Sequence, residues 1–208
     1  NALDSITASA EYTWLHIMNG FRRFTKAIKN IDAWRDLANE NLLRTNELSN
    51  KNLLIIGLGR IGKKIKKYAN AFEMNVDYYD PYVAAENRIV SLENLKKYDC
   101  ISVNCYLNDE TKNMIDFNLL SKMKKDVILV NTSRGEVINE TDLVRFAKLN
   151  EKFYFSTDVL CDEQNLHNLT NSNLFKLSKV LDRIVITPHV AGATVESQTK
   201  AFESIFNL

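Results

Sequence analysis

The run Leu54-Ile55-Ile56-Gly57-Leu58-Gly59-Arg60-Ile61-Gly62 constrains this chain more than any other stretch, because an apolar strand ends there in G-x-G-x-x-G and leads straight into a helix. Such a turn is built to hold a pyrophosphate. Gly57 permits the tight turn, Gly59 lets backbone N–H groups approach the phosphates, and Gly62 lets the helix pack closely on the strand. The backbone N–H groups of Arg60 and Ile61 open the helix, whose positive dipole end favours an anion. A second apolar run, Asn75-Val76-Asp77-Tyr78-Tyr79, ends in Asp80 about 18 residues after Gly62, close to the spacing that places an acidic group on a ribose. A carboxylate there accepts hydrogen bonds from both ribose hydroxyls and repels a 2′-phosphate, so Asp80 points to NAD rather than NADP.

Strand-like and helix-like segments alternate along the rest of the chain. Strands are expected at 52–56, 75–79, 100–104, 127–131, 153–157 and 184–187, with helices at about 61–72, 91–96, 117–123 and 140–149. The strands are short unbroken runs rich in Val, Ile and Leu, as needed where both sheet faces are covered. Alternation of this kind gives right-handed crossovers and predicts an α/β fold, a doubly wound parallel sheet (Rossmann-type) in three α/β/α layers. Two further helical segments lie outside the pattern, one over 9–28 and one from about 194 to the C-terminus. Without repeats or Gly/Ser linkers, the whole of 1–208 reads as one domain.

Composition excludes several other classes. A net charge of +1 supplies no field for nucleic acid, and no basic stripe is interleaved with aromatics. No apolar run approaches membrane-spanning length, and Asn1-Ala2-Leu3-Asp4 opens neither a signal nor a transit peptide. Cys100, Cys105 and Cys161 lack metal-ligand spacing and are odd in number, which favours reduced thiols in a cytoplasm and no metal site.

Four blocks of sequence resemble the NAD-binding domain of the D-isomer-specific 2-hydroxyacid dehydrogenases, a family that includes phosphoglycerate dehydrogenase. They are Ser9-Ala10-Glu11-Tyr12 opening an apolar helix, the Gly57–Gly62 turn with Tyr79-Asp80-Pro81, Asn131-Thr132-Ser133-Arg134-Gly135, and Thr187-Pro188-His189-Val190-Ala191-Gly192-Ala193-Thr194. The resemblance implies hydride transfer between NAD and a D-2-hydroxy acid or 2-oxo acid of the phosphoglycerate, hydroxypyruvate or glyoxylate class. It also implies a catalytic group of Arg134, Glu163 and His189. Each role has a physical rationale. Histidine is the side chain suited to exchanging a hydroxyl proton, and the resemblance gives that role to His189. Glu163 accepts from the far side of its ring and stabilises the imidazolium, and Arg134 offers a fork of donors to the substrate carboxylate and carbonyl. The same resemblance adds Asn104, Thr111, Thr132, Asp158 and Gly192 to the cofactor-binding set, with Asp158 facing the nicotinamide carboxamide. His16, in an apolar helix, and His167, in a polar loop, are read as non-catalytic.

The chain departs from the family pattern at Asn104-Cys105-Tyr106, where many members carry H-x-P, at Asp109-Glu110-Thr111 in place of Pro-Glu-Thr, and at Gln164, where a Pro usually follows the Glu. Asn104-Cys105 is similar to the formate-oxidising branch, but Glu163 stands where that branch has Gln, which argues against formate. The resemblance further implies an N-terminal substrate domain that these 208 residues do not contain. The chain alone is therefore expected to bind NAD with little turnover, since one wall of the cleft is missing. The 9–28 helix and its continuation carry Tyr12, Leu15, Ile17, Met18, Phe21, Phe24, Ile28, Ile31 and Trp34, more apolar surface than one sheet face needs. By resemblance that helix pairs two copies into a homodimer. Two other readings remain open: an NAD(H)-sensing, corepressor-like interaction protein and a non-catalytic NAD-binding scaffold.

Overall fold

The computed structural model describes residues 5–34, 41, 43–84, 87–89 and 91–206. Its frame is a set of six strands, β1 (Asn52–Ile56), β2 (Asn75–Tyr79), β3 (Cys100–Val103), β4 (Ile128–Asn131), β5 (Tyr154–Thr157) and β6 (Ile184–Ile186), all parallel and in the order β2-β1-β3-β4-β5-β6. The chain steps from β1 to β2 on one side and returns past β1 to β3 on the other. The sheet therefore has its switch point between β1 and β3, where a doubly wound fold opens a crevice. The expected fold class is the one observed.

Side-chain alternation splits the core into two apolar layers. Leu54, Ile56, Ile101, Val103, Leu129 and Phe155 face one side, while Leu53, Ile55, Cys100, Ile128, Val130 and Tyr154 face the other. The first layer is covered by α4 (Phe117–Ser121), α5 (Glu140–Leu149) and α7 (Asn173–Ser178). The second is covered by α1 (Ile6–Arg22) and α3 (Arg60–Ala71). Further α-helices among the described residues are α2 (Phe24–Lys29), α6 (Leu166–Asn171) and α8 (Val195–Phe206).

Three expectations about elements are corrected. The helix expected over 9–28 breaks at Arg23, which takes a left-handed conformation at φ 50°. Asn19 causes the break: its Oδ1 accepts the Thr25 N–H at 3.0 Å while its Nδ2 donates to Tyr154 Oη at 2.7 Å, and the Arg23 guanidinium stacks 3.9 Å from the Tyr154 ring centroid. No helix forms at 91–96. There the Ser91 hydroxyl accepts the Glu93 N–H at 3.2 Å, a local turn that competes with helical bonding, and Leu95 bridges to Met123. Finally, 166–178 is helical as α6 and α7, so His167 sits in a helix rather than a loop.

Candidate functional site

Strand register brings the candidate residues to one edge. Tyr79, Ile56, Val103, Asn131, Thr157 and Ile186 form a single row across the sheet, and the chain leaves that row into Asp80, Gly57, Asn104, Thr132, Asp158 and Thr187. Parallel strands of matched length thus deliver six separate loops to one crevice, although the residues are far apart in sequence.

The turn after β1 is shaped by contact as much as by conformation. Gly57 has φ +93°, and a Cβ there would meet Cys105 N at 2.7 Å, while a Cβ on Gly62 would meet Gly57 O at 2.2 Å. Gly59 differs, since a Cβ would meet nothing within 4 Å and would project into open space. Helix α3 starts from Gly59 without a side-chain cap and without an acidic residue in its first turn. By contrast, α4 and α5 are capped by the carboxylate of Asp116 and the amide of Asn139. The first N–H groups of α3, those of Arg60 and Ile61 among them, are left for an anion from outside. Asp80 braces this loop by accepting the Leu58 N–H at 2.8 Å and the Tyr82 N–H at 2.9 Å. The Tyr82 hydroxyl then donates to Glu110 at 3.1 Å, joining the loop after β2 to the loop after β3. Within the latter, Thr111 Oγ1 donates to the Tyr106 carbonyl at 2.7 Å and accepts from Asn108 N at 2.8 Å, so its side chain closes the loop.

At the other end of the crevice, the His189 ring Nδ1 is hydrogen-bonded to Glu163 Oε1, and Glu163 Oε2 accepts the Leu160 N–H at 3.0 Å. A carboxylate accepts only, so Nδ1 carries a hydrogen, and in the neutral ring Nε2 is the nitrogen that holds the lone pair. His189 itself has φ +53°, a left-handed conformation in a short turn closed by its N–H to Thr187 O at 3.0 Å. Asp158, 1% exposed, holds that turn: Oδ1 accepts from the Thr187 hydroxyl at 2.5 Å and from Val190 N at 3.1 Å, and Oδ2 accepts from Ala191 N at 2.7 Å. Gly192 follows, packed with its Cα side against Ser5 at the start of α1. Arg134 extends from the loop after β4, exposed, with Nη1 donating to its own Ser133 carbonyl at 2.6 Å. The loop is stitched by Asn131, whose Oδ1 accepts from Ser133 N and Oγ while Nδ2 donates to Arg134 O at 2.9 Å. Gly135 allows it to lie on the backbone of the Glu163 loop, since a Cβ would stand 2.2 Å from Leu160 C. Thr132 Oγ1 bonds Thr13 Oγ1 of α1 at 2.6 Å.

The sequence pattern of the D-isomer specific 2-hydroxyacid dehydrogenase NAD binding domain matches residues 14–191. The chain belongs to this family. It is 32% identical over 98% of its length to a protein of Staphylococcus saprophyticus that bears the name of a 2-hydroxyacid dehydrogenase, and covers 64% of that protein. It is 31% identical to the D-3-phosphoglycerate dehydrogenase of Mycobacterium leprae, over 95% of the chain and 37% of the relative. Among solved structures, D-lactate dehydrogenase from Aquifex aeolicus, complexed with NAD and lactic acid, superposes with a TM-score of 0.83 at 31% identity, over 97% of this chain and 65% of that one. The chain therefore spans about two thirds of the first of these relatives.

This NAD-binding domain has features that fit its cofactor. The open face of Gly59 and the uncapped start of α3 offer a phosphate cradle. Asn104 Oδ1, beside the Gly57 turn, is buried without a partner among the described residues. Of the residues singled out from sequence, Glu163 and His189 touch directly. Arg134 shares their edge without a hydrogen bond or ion pair to either, and Asp158 already has three donors. Residues at this edge that the sequence reading did not single out are Asn131, Gly135 and Thr187, with His16 packed behind them. Asn131 and Gly135 lay in plain view within the motif that carries Arg134. His16 gave no local signal, because its partners are on β5 and beyond β6.

Proposed function

We propose that this domain serves an NAD-dependent D-2-hydroxyacid dehydrogenase, with His189, Glu163 and Arg134 as its catalytic residues. The observation that carries the reading is the His189–Glu163 hydrogen bond at the sheet edge that also bears the Gly59 cradle and Asp80. When bound, NAD takes up or gives the hydride at the substrate carbon. His189 Nε2 accepts the hydroxyl proton during oxidation and returns it to the carbonyl oxygen during reduction, while Glu163 fixes the tautomer and balances the imidazolium. The exposed Arg134 guanidinium orients the substrate carboxylate and polarises the C=O. The substrate is a small 2-hydroxy or 2-oxo acid of the phosphoglycerate, hydroxypyruvate or glyoxylate class, a reading supported by the 2-hydroxyacid relatives.

Asp80 favours NAD over NADP, and Glu110 adds a second carboxylate on the same side. Gly57, Gly59, Arg60, Ile61, Gly62, Asn104, Thr111, Thr132, Asp158 and Gly192 complete the cofactor side. The 208-residue chain by itself binds NAD with little turnover: it spans about two thirds of the first relative's length, and the residues named here belong to the cofactor side. Two copies pair as a homodimer through α1 and α2. Ile17 and Phe21 are consumed in the chain's own core, but Leu15, Phe24, Ile28, Ile31 and Trp34 stay exposed. The three free thiols suit a reducing cytoplasm, and among the described residues no helix is long and apolar enough to cross a membrane. Titration with NADH and with NADPH, followed by nicotinamide fluorescence, tests the cofactor reading. Saturable NADH binding with NADPH much weaker is expected, and equal affinities would refute the role given to Asp80.

A further inference from the structure

Helix α1 buries three polar side chains, Thr13, His16 and Asn19, in the face that it turns to the sheet. His16 is 4% exposed, and its two ring nitrogens both have partners: Nδ1 lies 2.5 Å from Ser156 Oγ on β5, and Nε2 lies 3.2 Å from Thr187 Oγ1 beyond β6. Thr187 Oγ1 is in turn 2.5 Å from Asp158 Oδ1. A hydroxyl has one hydrogen, and the charged oxygen at the shorter distance takes it. The Thr187 oxygen must then accept, so Nε2 of His16 carries a hydrogen and Nδ1 accepts from the Ser156 hydroxyl. Burial holds the His16 ring well below its ordinary 6.5, to about 4, so this neutral tautomer persists through the neutral range. The hydrogens of Ser156, His16 and Thr187 therefore all point one way, toward the Asp158 carboxylate.

That carboxylate also takes the N–H groups of Val190 and Ala191, the two residues after His189. We propose that His16 is a positioning residue for the nicotinamide end of the site: through Thr187 it fixes the Asp158 carboxylate, and through Asp158 the left-handed turn that presents His189. The proposal rests on the reading that Asp158 and His189 serve the bound cofactor and substrate. With three donors on four acceptor sites, Asp158 keeps one site on Oδ2 uncommitted, and its direction is set by the other three. Without His16, the Thr187 hydroxyl has another acceptor within reach, the Thr157 carbonyl at 3.4 Å. Turning there would cost Asp158 one donor and free the carboxylate to swing. An apolar side chain at position 16 would fill the space without the burden of a buried imidazole. The imidazole earns its place by linking α1 to the turn.

The test uses this chain with His16→Leu and His16→Gln, measuring the affinities for NADH and for ADP-ribose, which lacks the nicotinamide, together with amide hydrogen exchange by NMR. The Gln amide can donate where Nε2 does. His16→Leu is expected to weaken NADH about tenfold while ADP-ribose stays within about twofold, with faster exchange at Val190 and Ala191 and none at the amides of β1 or α5. His16→Gln should recover most of both effects. If NADH and ADP-ribose weaken together, or if exchange rises equally along α1 and the sheet, His16 is structural only and the proposal fails. Unchanged NADH affinity with unchanged exchange also overturns it. If the unaltered chain binds neither ligand, the cofactor reading has failed, and the exchange rates at Val190 and Ala191 still decide the relay. Should His16→Leu not fold, Thr187→Val removes the same link from its other end and must show the same selective loss.

Discussion

Lowering the pH from 7 to 5 should destabilise this fold specifically through His16. In the folded chain the ring is held to about 4 by burial, only partly offset by Asp158, whereas in the unfolded chain it titrates at its ordinary 6.5. The unfolded state therefore gains a proton first. The stability linked to His16 is intact above 6.5, is lost progressively between 6.5 and about 4, and the loss is constant below that. At pH 5 the separation of the two titrations amounts to about 2 kcal/mol, rising to a limit of about 3 kcal/mol in more acidic solution. For a domain of this size the former corresponds to a fall of about 4–8 °C in the melting midpoint. Urea unfolding at both pH values, run side by side on the unaltered chain and on His16→Gln, isolates the effect, since the other titrating groups are common to both. The unaltered chain should lose about 2 kcal/mol more than the variant. Equal losses would show that His16 is not buried as a neutral ring and would refute the hydrogen-bond directions drawn from it.

Other outcomes follow from the crevice. Gly59→Ala should leave the melting temperature nearly unchanged, since its Cβ meets nothing within 4 Å, yet weaken NADH at least tenfold; Gly57→Ala, at φ +93° and 2.7 Å from Cys105 N, should cost about 2–4 kcal/mol of stability by urea unfolding. Asp80→Ala should weaken NADH by about 1–3 kcal/mol in a fluorescence titration and narrow the preference over NADPH. Burial pushes the thiols of Cys105 to about 11 and Cys161 to about 12, so alkylation by iodoacetamide at pH 7.5, read by mass spectrometry, should be about a hundredfold slower or more in the folded chain than in urea. Light scattering at micromolar concentration should give a dimer, and Trp34→Glu with Ile31→Glu should give a monomer, since both side chains are more than half exposed in the single chain.

The fold class and the cofactor cradle were legible in the sequence because both are local. Short Val/Ile/Leu runs separated by helical segments commit the chain to a parallel sheet, and Gly57, Gly59 and Gly62 act within one turn of their own backbone. Arg134, Glu163 and His189 were named for a different reason, by resemblance to the motifs of a family, and their catalytic role is the reading proposed above. The contact between Glu163 and His189 was an expectation of resemblance that the fold makes concrete, by ending β5 and β6 in adjacent register. Local signals failed where a distant partner outweighed them. The apolar pattern over 9–28 is continuous, but Tyr154 and Thr25 draw on Asn19 and turn the helix at Arg23.

The sequence by itself determined the six parallel strands and the loops that follow them, since periodicity, turn residues and short motifs act over a few residues. Only the tertiary structure decided how those groups are held. Asp158 is a clamp on the His189 turn because β5 and β6 are neighbours. His16, an unremarkable residue of an apolar helix, reaches Thr187 only because α1 packs across the β4–β5 half of the sheet. Hydrogen bonds between groups so distant in the chain depend on packing, which no local pattern encodes.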